Sequence, residues 1–228
     1  MYRFLGIGVI MFELFDPEAD FRITHGTRLP HWYQPGASYF VTFRTEDSMP
    51  VEVSRLWHAR RSEWLAQHGI SPADVSWSVK LNQLSLIQRK DYHERFSKEY
   101  FENLDKGYGA CVLKRQELSR KVADSLLYFN GDRYHMGDFV VMPNHVHLIV
   151  CLLGTTDIVK QCTSWKRFTA KEINQHLNLK GRFWQEDSFD HLIRSDRQFD
   201  AIRRYIGSNP TGLKQGEYFL YRFDESLN

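Results

Sequence analysis

VVMPNHVHLIV, residues 140–150, holds two apolar runs split by Pro143-Asn144, a pair with turn chemistry. The split predicts a hairpin, with one strand over 133–142 and the returning strand over 145–153. Side chains alternate across a strand, so Val146, Leu148 and Val150 turn one way, toward a core. His145 and His147 then turn together to the other face. Two imidazoles so placed can grip one metal ion, or they can be two surface histidines beside a turn. The segment alone leaves both open.

The chain on either side supplies the rest of the sheet. SYFVTFR, residues 38–44, alternates like a strand, and 51–69 reads as a helix stopped by Gly69. Residues 70–109 are polar and mixed, with a helix expected around 91–104, and another helix is expected over 115–129. Asp157 is placed to cap a helix running to Leu177. Residues 182–193 read as one or two short strands, and Asp196 begins a last helix that must end near Asn209, ahead of Pro210. With a helical insertion at about 70–130 set aside, the order is βαββαβ followed by a helix. That order predicts an α+β fold, a ferredoxin-like sandwich with helices packed on one face of an antiparallel sheet. The expected organisation is an N-terminal extension, 1–25, disordered or dispensable, and a single catalytic domain over 26–228. Met11 is an alternative start.

Composition narrows the class. Hydrophobic residues at 42% and charged residues at 25% fit a soluble globular protein. Three cysteines, odd in number and without a C-x-x-C pair, argue against a disulfide framework or a cysteine zinc site and fit a reducing cytosol. The opening MYRFLGIGVIMF has one arginine and a short apolar run, then Glu13, Asp16, Glu18 and Asp20, which is a poor leader. No later stretch approaches the roughly 18 apolar residues of a membrane span. A cytoplasmic protein without a membrane partner is expected.

Two further groups of residues bear on function. Tyr205 and Asn209 are four apart, hence on one helical face. Alone, they read as a packed ring and a helix stop. Arg203 and Arg204 precede the tyrosine, as a solvated face or as phosphate contacts. Lys160, Arg167 and Lys171 form a stripe on the preceding helix, with Lys166 beside them. From Lys160 to Arg222 there are twelve Lys or Arg against seven Asp or Glu, whereas the whole chain nets only +2. Positive charge is thus concentrated in the C-terminal third, which suits a phosphate-rich partner or a soluble helix face. Trp165, Phe183 and Trp184 offer stacking surfaces for unpaired bases, with core packing as the other reading.

Taken together, MPNHVHLIV, SWKRFTAKEIN, GRFWQEDSFDHLIR and RRYIGSNPTGL resemble, in order and spacing, the REP-associated tyrosine transposases of the single-tyrosine HUH transposase superfamily. THGTRLPHWYQPGASYFVTFRT and FNGDRYHMGDFVVMPNHVH resemble the same family, so the likeness spans about 26–213 and is weakest over 70–109. The resemblance implies metal-dependent cleavage and strand transfer of single-stranded DNA, through a 5′-phosphotyrosine, at hairpin-forming repetitive extragenic palindromes. Tyr205 matches the family's nucleophile on a C-terminal catalytic helix. His145 and His147 match its metal ligands, and Asn209 matches the third. The implied cation is Mg²⁺ or Mn²⁺. His191 also falls in a matching motif, as a site-face histidine or a satisfied core residue. Lys160, Lys166, Arg167, Lys171, Arg203, Arg204 and His191 are the candidate DNA contacts. A monomer is favoured over a dimer. The competing readings are a hairpin-binding protein that does not cut, and a water-using metal-dependent phosphoesterase.

Overall fold

The computed structural model describes residues 12–25, 30–74 and 76–224. A hairpin of β1 (Arg22–His25) and β2 (Pro30–Tyr33) leads into β3 (Ser38–Arg44). A mainly helical stretch follows: α1 (Val51–Gln67), α2 (Trp77–Gln83), α3 (Leu86–Tyr92), a π-helical turn, and α4 (Glu99–Asp105). Then come α5 (Gln116–Leu127), β4 (Tyr134–Val141), β5 (His145–Leu152), α6 (Ile158–Leu177), β6 (Phe189–Leu192), α7 (Asp196–Ser208) and β7 (Phe219–Tyr221). The main sheet has the order β6-β3-β5-β4-β7, antiparallel throughout. β3, β4, β5 and β6 thus lie in the order fourth, first, third, second, the arrangement of a ferredoxin-like sandwich. β7 extends the far edge and is too short to read from sequence.

One expected cap, Asp157, and one the sequence reading did not single out, Ser195, start the last two helices. Asp157 accepts from the amides of Val159 and Lys160 at the start of α6, and Ser195 accepts from Gln198 at the start of α7. Each satisfies donors that the first helical turn leaves without partners.

Alternation along β5 divides the molecule. Val146, Leu148 and Val150 join Val41, Phe139, Leu126 and Trp165 in a core between the sheet and α5 and α6. The opposite face, expected open, is instead covered by α7. There Ile149 and Cys151 meet Phe199 and Ile206, and His145 and His147 are buried. Trp165, Phe183 and Trp184 are core residues, not exposed stacking platforms.

Two further expectations are corrected. The helix completing the sandwich is α5, within the stretch assigned to the insertion, and not α1. The buried residues of α1 are Arg61, Trp64 and Leu65. Trp64 and Leu65 pack with Ile70, Trp77, Leu81, Tyr92 and Phe96 in a separate small core. The insertion therefore begins at α1. Residues 12–25 are also built in: Phe12 is buried against Phe199 and Phe223, and the Ser38 amide donates to the carbonyl of Glu13. Residues 1–11, with Met11, lie outside those described. No helix among the described residues is long and apolar enough to cross a membrane.

Candidate active site

His145 and His147 are brought together by their strand, with ring centroids 4.6 Å apart. Their cross-strand partners on β3 are Arg44 and Thr42. Thr42 Oγ1 lies 2.7 Å from His147 Nδ1. On the other side of the ring, His147 Nε2 lies 3.2 Å from the Tyr205 hydroxyl. Phe40 and Phe101 pack against the His147 ring and against Tyr205. The tyrosine helix and the histidine strand therefore meet within one chain.

α7 is held to the sheet by an ion network. β4 carries a register shift between Met136 and Phe139, and such irregularities re-aim side chains. Asp138 sits in that irregular stretch, fully buried, and accepts from Arg203 at 3.1 Å and 3.3 Å and from Arg222 at 2.6 Å. It also accepts from the Phe223 amide. Gly207 leaves room for the Arg222 guanidinium, which a Cβ there would push aside. Arg203 is thereby engaged inside the protein two residues before Tyr205, and it locks the helix that presents the tyrosine.

Asn144, a turn residue by sequence, fixes the protons of His145. Its amide Nδ2 donates to the carbonyls of Leu104 and Tyr108, which leaves Oδ1 facing His145 Nδ1 at 2.7 Å. An amide oxygen only accepts, so His145 carries its proton on Nδ1 and keeps a lone pair on Nε2. That Nε2 is buried without a hydrogen-bond partner among the described residues, and so is Asn209 Oδ1. Buried polar atoms are seldom left so. Asp105, at the end of α4, stands beside both, with Oδ1 3.5 Å from His145 Nε2 and 3.4 Å from Asn209 Nδ2.

The electrostatics follow from burial. Burial lowers the His145 pKa to about 3 and holds His147 well below the usual imidazole value, with the neighbouring His145 adding to the latter. Both rings are neutral at pH 7, as ligand nitrogens must be. Burial raises the pKa of Tyr205, and the Asp105 charge adds to the rise, so the phenol keeps its proton at rest. Burial also raises Asp105. Neutral imidazoles with an amide oxygen and a carboxylate form a mixed nitrogen and oxygen donor set that fits a divalent cation.

The other candidates are scattered. Lys160, Arg167 and Lys171 are exposed on α6, across the sheet from Tyr205. Lys166 donates to the carbonyls of Gln185 and Glu186. His191 lies on β6 opposite Phe40 and is capped by Gln198 at 2.6 Å. Arg204 is exposed on α7. Sequence reasoning missed Asp105, Asn144 and Arg44. Arg44 Nε donates to Tyr100 Oη and Nη1 to Ser48 Oγ, and it has no carboxylate partner among the described residues.

A strand with two same-face histidines and a helical tyrosine beside them meet on one face of a ferredoxin-like sheet. Residues 116–209 match the family described as "Transposase IS200 like". That segment, from α5 through Asn209, contains both histidines and the tyrosine. No curated protein matches the chain. A solved structure described as "Structure of the REP associates tyrosine transposase bound to a REP hairpin" is similar at 17% identity. The match covers 79% of this chain and 70% of that one, with a TM-score of 0.42.

Proposed function

We propose that this chain cuts and rejoins single-stranded DNA through Tyr205, at hairpins of repetitive extragenic palindromes. The observation that carries the reading is the Tyr205 hydroxyl 3.2 Å from His147 Nε2, within a segment of transposase sequence. The REP hairpin as substrate rests on the motif resemblance. A Mg²⁺ or Mn²⁺ ion held by His145, His147 and Asn209 would neutralise charge on a non-bridging phosphate oxygen and orient the phosphate.

Each residue then has a task. Asn144 keeps the His145 lone pair on Nε2. With its Nδ1 proton donated to Thr42 Oγ1, His147 would have one lone pair on Nε2, which either accepts from Tyr205 or ligates an ion. Arg44, on the same sheet face as His145, is a cation available to the phosphate. Phe40 and Phe101 flank the tyrosine ring and shield it from water. The Tyr205 oxygen attacks phosphorus as its proton passes to solvent, and the bond to the 3′ oxygen breaks as that oxygen takes up a proton from solvent. The products are a 5′-phosphotyrosine and a free 3′-hydroxyl. A second 3′-hydroxyl reverses the step and reseals the strand without ATP. Since histidines and tyrosine come from one chain, a monomer suffices. Arg167, Lys171 and Lys160 would meet the hairpin's backbone away from the cut. The cytoplasm is the expected setting.

A labelled hairpin with single-stranded flanks, incubated with Mn²⁺ and run on a denaturing protein gel, tests the reading. A covalent adduct is expected from the wild type and none from Tyr205→Phe. Cleavage that persists in the variant would point to a water-using phosphoesterase. Binding without cleavage by the wild type would point to a hairpin-binding protein.

A further inference from the structure

The insertion does more than decorate the sandwich. We infer that Asp105, in the last turn of α4, is a ligand of the same cation as His145 and His147. The helical insertion would then supply part of the metal centre. This rests on the metal site proposed above and extends it to a residue outside the strand and helix motifs.

Four observations converge. Ligand atoms of Asp105, His145 and His147 all lie within 4.8 Å of one another, a spacing that one ion can span by drawing each toward a metal–ligand distance of about 2.1 Å. His145 Nε2, buried and without a hydrogen-bond partner among the described residues, lies 3.5 Å from the carboxylate, and Asn209, whose buried Oδ1 also lacks a partner there, turns its Nδ2 to it at 3.4 Å. Asp105 has no Lys or Arg partner among the described residues, and its contacts are with Asn209 and His145. Its position is anchored, because Asn144 holds the carbonyls of Leu104 and Tyr108 on either side of it.

Charge supplies the chemical reason. Two neutral imidazoles and a neutral amide bring no negative charge to a divalent ion. Mg²⁺ and Mn²⁺ favour hard oxygen ligands, and Mg²⁺ gives up its water reluctantly, so a carboxylate strengthens the site most where the other ligands are neutral. Ligation by Asp105 would also tie α4 to β5, so that loading the ion steadies the insertion over the tyrosine. The Phe101 ring, one turn earlier on α4, already packs against His147 and Tyr205.

Calorimetric titration of EDTA-stripped protein with Mn²⁺, without DNA, tests this on the wild type, Asp105→Asn and His147→Ala. Wild type should bind Mn²⁺ and His147→Ala should lose it. Asp105→Asn, at a partly exposed position, should fold and bind at least about tenfold more weakly, since even outer groups of metal sites cost that much when removed. Hydrogen exchange over residues 99–105 should slow on Mn²⁺ addition in the wild type. Equal affinity in Asp105→Asn and wild type, with binding lost in His147→Ala, would overturn the inference and leave the histidine centre standing. No Mn²⁺ binding by the wild type would overturn the centre itself, and the inference with it. Should Asp105→Asn fail to fold, unchanged exchange over 99–105 in Mn²⁺-loaded wild type overturns the inference.

Discussion

The two faces of β5 are made by alternate residues of one strand and do different work. Toward α5 and α6, Val146, Leu148 and Val150 are fully buried among apolar side chains. Toward α7, His145 and His147 are buried just as completely, yet they meet Thr42, Tyr205 and Asp105. Burial is the same on both faces, but among the side chains of β5 only His145 leaves a polar atom without a partner among the described residues. The contrast separates stability from chemistry along a single strand: a dry face stabilises, and a polar face stores donor atoms whose desolvation is offset only when a ligand arrives.

Substitutions on the two faces should therefore fail in different ways. On the α7 face, His147→Ala should reduce Mn²⁺-dependent cleavage by at least about 100-fold while the protein stays folded, as loss of a direct ligand exceeds loss of an outer one. On the other face, Leu148→Ala should lower stability by about 2–5 kcal/mol in urea unfolding, with Mn²⁺ affinity kept in the folded fraction. If Leu148→Ala lost metal binding while folded, the separation of the faces would be wrong. Asp138→Asn sits between these cases, because Asp138 is a buried anion that holds the tyrosine helix through Arg203 and Arg222. It should cost about 3 kcal/mol and loosen α7, seen as faster hydrogen exchange over 196–208.

Acid should act on the histidine face first. His145 has its pKa lowered to about 3 in the fold, His191 to about 4, and His147 is also lowered, against an unfolded value near 6.5. In that interval the unfolded chain binds more protons than the folded one. The stabilisation is complete above about pH 6.5 and is lost as the pH falls toward the folded values. Melting in EDTA should therefore show Tm falling from pH 6.5 to 4.5, and a flat profile would contradict the burial of neutral imidazoles. The smallest expected effect is at Arg167, exposed on α6. Arg167→Ala should change stability by less than about 0.5 kcal/mol and, if it meets a hairpin backbone, lower the salt slope of binding by about 1.

Much of this arrangement was legible in the sequence, for identifiable reasons. β5 was readable because an apolar run with two alternate histidines follows the Pro143-Asn144 turn, α6 because Asp157 caps it, and α7 because its pattern runs from Asp196 to the stop before Pro210. Tyr205 and Asn209 stood out because RRYIGSNPTGL resembles a family motif, whereas helical spacing alone left them a packed ring and a helix stop. The exchange of roles between α1 and α5 was not readable, since both carry buried apolar residues and only contact partners tell them apart. Trp64 and Leu65 answer to Trp77 and Tyr92 within the insertion, whereas Val122 and Leu126 answer to the sheet. Asp105 was hidden because it is one carboxylate in a charged helical tract, brought to His145 across forty residues of chain. Arg203 was read as a phosphate contact because its buried partner, Asp138, lies 65 positions away.

The central claim is that Tyr205 is the residue that takes the DNA strand. Mass spectrometry of the tryptic digest, after reaction with a hairpin substrate and Mn²⁺ and nuclease trimming, addresses it directly. Trypsin releases residues 205–214 after Arg204, and this peptide should carry the added nucleotide through its tyrosine. Cleaved DNA with that peptide unmodified, or with the nucleotide on another residue, would contradict the account.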